Sequence, residues 1–90
     1  MIRVSKDSID RKLAVIRGVS IPNAEWYYDP IQRFILADAN TDCLNAFVSV
    51  DDRVLRKFMT DIQQKYPLGN GAYVLPEFSK MLHESQKERD

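Results

Sequence analysis

A chain of 90 residues has room for one domain with a small core, burying roughly 60 to 65% of the surface its unfolded form would expose. With 44% hydrophobic and 29% charged residues the composition is that of a globular protein, which argues against disorder. Thirteen Lys and Arg balance thirteen Asp and Glu, so no overall field draws the chain to nucleic acid or to an anionic membrane, and any such binding needs a local patch.

The single cysteine, Cys43, has no second thiol in the chain to pair with, which favours a reducing cytoplasm. Charges interrupt every apolar pair of the N-terminal MIRVSKDSIDRKLAV, and nowhere does an apolar run approach the ~18 residues of a membrane span. The expectation is a soluble, unexported protein with no membrane partner. One globular domain is expected over residues 1–86, with residues 87–90 as a charged tail.

Taken in chain order, Ile9, Leu13 and Ile16 fall at helical spacing, with Asp7 and Asp10 early, Arg17 late and Gly18 just beyond. They predict a first helix over residues 6–17, followed by a connector that Pro22 keeps from resuming the helix. In AEWYYDPIQRFILAD, Asp29-Pro30 lies between two apolar runs and predicts a hairpin. A three-residue loop pairs Tyr28 with Phe34 and Trp26 with Leu36 on the inner face, leaving Glu25 and Tyr27 on the outer face and Asp29 opposite Arg33. That register requires Gln32 to be left-handed. The competing possibility is a short helix capped by Asp29 with Pro30 at its first position.

Asp38, Asn40 and Asp42 alternate as the first ligands of a calcium loop do. Counted from Asp38, however, the sixth position is Cys43 where the loop needs Gly, and the twelfth is Ser49 where it needs Glu. A polar turn is the plainer interpretation, leading into a third strand over residues 45–49. Leu44, Phe47 and Val48 also match helical spacing, which keeps an all-α bundle as the alternative fold. Ser49 and Asp52 then fit a capping signature ahead of Val54, Leu55, Phe58, Met59 and Ile62, the stripe of a helix from about residue 50 to 65. Residues 72–75 suggest a short edge strand, and Pro76 starts a last helix to about residue 85 with Phe78, Met81 and Leu82 inward. The expected fold is α+β: an antiparallel three- or four-stranded meander packed on two or three helices, in the order α-β-β-β-α-(β)-α.

Little in this pattern carries reaction chemistry. One His and one Cys cannot furnish a zinc site, no glycine-rich phosphate loop is present, and Cys43 and His83 lie 40 residues apart with no family signature around either. No enzyme activity, cofactor or metal is expected. By elimination the expected function is a non-catalytic protein-binding module, such as a small inhibitor, an immunity-type protein or a regulator, with another protein as partner. Its surface would be the outer face of the hairpin, with Tyr27, Arg33 and Glu25, because exposed Tyr beside Arg is the composition of a binding hot spot. The alternative is nucleic-acid binding through Arg53, Arg56 and Lys57, since the order α-β-β-β-α is shared with double-stranded RNA-binding domains. Asp51 and Asp52 stand against it, being placed to repel phosphate.

Overall fold

The structure is a computed structural model that describes residues 4–38, 40–68 and 71–88. Among these residues there are five helices and no strand: α1 (Lys6–Arg17), α2 (Glu25–Asp38), α3 (Thr41–Ser49), α4 (Asp52–Lys65) and α5 (Gly71–Glu88). The expected α+β meander is therefore wrong, and the all-α alternative describes the chain. The domain measures 40 × 26 × 21 Å.

Each helix buries a stripe that returns every three or four residues: Leu13 and Ile16 from α1, Tyr27, Ile31 and Ile35 from α2, Ala46, Phe47 and then Val50 from α3 and its cap, Leu55, Met59 and Ile62 from α4, and Val74, Phe78 and Leu82 from α5. Phe78 sits at the centre, edge-on to Phe47 with ring centroids 5.7 Å apart and tilted against Phe58 at 5.8 Å. Removing a buried Phe typically costs about 3 to 5 kcal/mol, a large share of the ~5 to 15 kcal/mol that holds a domain folded.

The ends of α1 and α4 follow local chemistry. Ser5 caps α1 by accepting from the Ser8 N–H, and Gly18 closes it by donating back to Ala14 and Ile16. The cap of α4 is Asp51, whose carboxylate accepts from the Arg53 N–H at 2.8 Å; Ser49, expected in that role, is instead the last residue of α3. Asn40 caps α3 by accepting from the Cys43 N–H at 2.8 Å. The segment around Asn40 is thus a connector between two helices, not a turn between strands; Ala39 lies outside the described residues.

The hairpin and the edge strand fail for one shared reason. Pro30 and Pro76 each lie five residues after the first residue of their helix, not at its first position. Proline has no N–H to give the carbonyl four residues back, but one turn from a helix start the chain can absorb the loss without breaking a long ladder on both sides. The stripe of Tyr27, Ile31 and Ile35 runs straight through Pro30, and that of Val74, Phe78 and Leu82 straight past Pro76. Among the described residues the left-handed non-glycine residue is Asn23, with φ 52°, whereas Gln32 is helical. Asn tolerates this geometry better than most residues, and the Asn23 carbonyl accepts from the Trp26 N–H at 2.9 Å to start α2. Helix α5 runs to Glu88.

Candidate functional site

Helical rather than extended backbone reverses the inside and outside of the Trp26-Tyr27-Tyr28 run. Tyr27, expected outward, is fully buried at 0% exposure, and its hydroxyl donates to the Tyr66 carbonyl at the end of α4, 2.6 Å away. Tyr66 in turn stacks on Tyr73 at 4.5 Å, closing α2, α4 and α5 at that end of the bundle. Tyr27 is therefore removed from the expected contact surface. Trp26, expected inward, is 42% exposed, while Tyr28 is half-buried beneath the Arg17 guanidinium, which also donates to Gln32.

Glu25 and Arg33 are exposed, as expected. On α2 the outward stripe carries Trp26 and Arg33, seven residues and so about 20° apart around the axis, and continues to Leu36, which is 53% exposed. Arg33 makes no ion pair among the described residues. The periodicity of α2 could have revealed Trp26 and Leu36 had it been carried across Pro30.

The basic residues of α4 are exposed but mostly matched. Arg53 lies 3.7 Å from Asp51, Lys57 donates to Asp61 at 2.7 Å, and Arg56 alone of the three has no ion pair among the described residues. Asp52 is held by Lys12, a lysine of α1 only 7% exposed, whose ammonium also donates to the Val50 carbonyl at 2.6 Å. The Lys12 hydrogen bond, with help from the charges of Lys12, Arg11 and Arg56, holds the Asp52 carboxyl below the usual range against a smaller opposing effect of burial. The phosphate-repelling acids are thus engaged, yet the face they leave is one of mixed charge.

Cys43 and His83, distant in sequence, line one cleft of about 370 Å³ between α3 and α5, together with Phe34, Asn40 and Asp42. No hydrogen bond joins the two, and burial pushes the Cys43 thiol up, away from the thiolate a nucleophile requires. No group of three or more His, Cys, Asp or Glu among the described residues is placed to hold a metal ion. No helix among them is long and apolar enough to cross a membrane.

No family model, no curated protein and no solved structure matches the chain.

Proposed function

We propose that the protein is a non-catalytic protein-binding module whose contact surface is the outward face of α2, with Trp26, Arg33 and Leu36 at its centre and Glu25 at its edge. The observation that carries this is the exposure of Trp26 and Leu36 on the same side of the helix as Arg33, which makes no ion pair among the described residues. Trp and Arg are the residue types over-represented among binding hot spots, because each offers a large contact area together with a directional polar group. A partner that suits this face offers an apolar groove for the indole and the Leu36 side chain and a carboxylate for Arg33, the mode in which an amphipathic helix lies in a groove. The lone thiol fits a reducing compartment such as the cytoplasm.

Affinity capture from the native cell, followed by titration of the purified partner, tests this reading. Trp26→Ala is expected to weaken the complex by more than about tenfold, and the surface changes Arg33→Glu and Leu36→Glu to weaken it while leaving the helical circular dichroism intact. Unchanged affinity in all three variants rejects the surface. Salt-steep binding to duplex DNA or RNA, lost in Arg53→Ala and Arg56→Ala, rejects the protein-binding reading in favour of a nucleic-acid one.

A further inference from the structure

Helices α4 and α5 leave a groove of about 310 Å³ between them, lined by no residue of α2. Its floor is apolar: Val54 is 38% exposed, and Phe58 and Met81 are half-buried. Its rims carry five charges. Lys57 closes on Asp61 at 2.7 Å, and Glu77 on Lys65 at 2.9 Å. That leaves Lys80 and Glu84, which make no ion pair among the described residues although they stand one turn apart on α5, about 6 Å along the axis. The two charges left over are opposite in sign and lie on the same rim.

We propose that this groove is the contact of a symmetric homodimer, in which α5 packs antiparallel to α5 of a second copy about a two-fold axis level with Leu82. In that arrangement Lys80 of each copy faces Glu84 of the other, so both leftover charges are matched twice over. An isologous contact of this kind requires one surface to complement itself, and a Lys and a Glu at equal distances on either side of the axis satisfy that requirement. A parallel arrangement sets Lys80 on Lys80. A partner helix of uniformly negative charge leaves Glu84 opposed, and one of uniformly positive charge leaves Lys80 opposed. A second copy presents both signs in the order needed, while Val54, Phe58 and Met81 supply apolar surface for the two grooves to cover. Because the matched charges lie at the rim, the contact weakens as salt rises.

Sedimentation equilibrium of the purified chain at low salt, from about 1 μM to 1 mM, tests the proposal. A monomer–dimer equilibrium is expected. Lys80→Glu or Glu84→Lys alone sets like charges against each other at both ends of the contact and raises the dimer dissociation constant about tenfold. The double variant Lys80→Glu/Glu84→Lys restores it to within about threefold, since the swap preserves complementarity about the axis. Both side chains are on the surface, so circular dichroism of each variant is expected to match the parent. A chain that stays monomeric over the whole range overturns the proposal, as does a double variant no better than either single one. A dimer that is lost in Arg33→Glu but kept in Lys80→Glu overturns it too, and assigns self-association to α2.

Discussion

Two of the polar fastenings between helices differ in kind. At one, the buried Lys12 ammonium of α1 reaches the Val50 carbonyl at the end of α3 and the Asp52 carboxylate at the start of α4. At the other, the Tyr27 hydroxyl of α2 meets the Tyr66 carbonyl at the end of α4, beside the Tyr66–Tyr73 stack. The first fixes a corner with charge and the second fixes an end with a neutral hydrogen bond on top of a large apolar ring. A charged fastening depends on both partners remaining ionised and paired, because a buried ammonium left alone is costly. In a neutral one most of the stabilisation lies in the buried ring, with the hydrogen bond a smaller increment.

The widest gap between them is expected from truncation. Tyr27→Ala removes a wholly buried aromatic and is expected to cost about 3 to 5 kcal/mol in a denaturant titration, close to the limit of what a domain of this size tolerates. Tyr27→Phe keeps the ring and forfeits only the hydroxyl, at about 1 kcal/mol. A Phe variant as unstable as the Ala variant would assign the fastening to the hydrogen bond and remove the contrast.

At the charged corner the expected asymmetry runs between the partners. Asp52→Asn leaves the Lys12 ammonium buried with a weaker acceptor, whereas Lys12→Met removes the buried charge and leaves Asp52, whose side chain is 37% exposed and within reach of water. Asp52→Asn is therefore expected to lower the melting temperature by more than Lys12→Met does; the reverse order would show that the lysine is held by Val50 alone. The smallest effect is the pH dependence. The Asp52 carboxyl titrates below its unfolded value, so its contribution is complete above the ordinary carboxylate range and is lost as the pH falls through the depressed folded value. Stability measured between neutral and strongly acid pH should fall less steeply in Asp52→Asn than in the parent, while Tyr27→Phe should leave that slope unchanged.

Helices α1 and α4 were legible in the sequence because local rules sufficed: each has its apolar stripe uninterrupted, α1 ends at Gly18, and α4 opens on Asp51 and Asp52, the first of which caps it. Helices α2 and α3 were not legible, and of α5 only residues 76–85 were, its first turn having the look of an edge strand. In a short window Trp26 and Tyr28, or Phe47 and Ser49, alternate as a strand does, and Pro30 and Pro76 mimic a turn and a helix start. The candidate site shared this fate, since Arg33 and Glu25 are outward in either conformation while Trp26 and Tyr27 exchange places.

The sequence by itself determined a small, charge-balanced globular chain with two secure helices, and it left calcium-loop and zinc chemistry without their ligand sets. Only the tertiary structure decided that the middle of the chain is helical. A period of four through a proline gains its advantage when Tyr27, Ile31 and Ile35 can be buried against Val74 and Phe78 of a helix some forty residues away, and no local propensity encodes that burial.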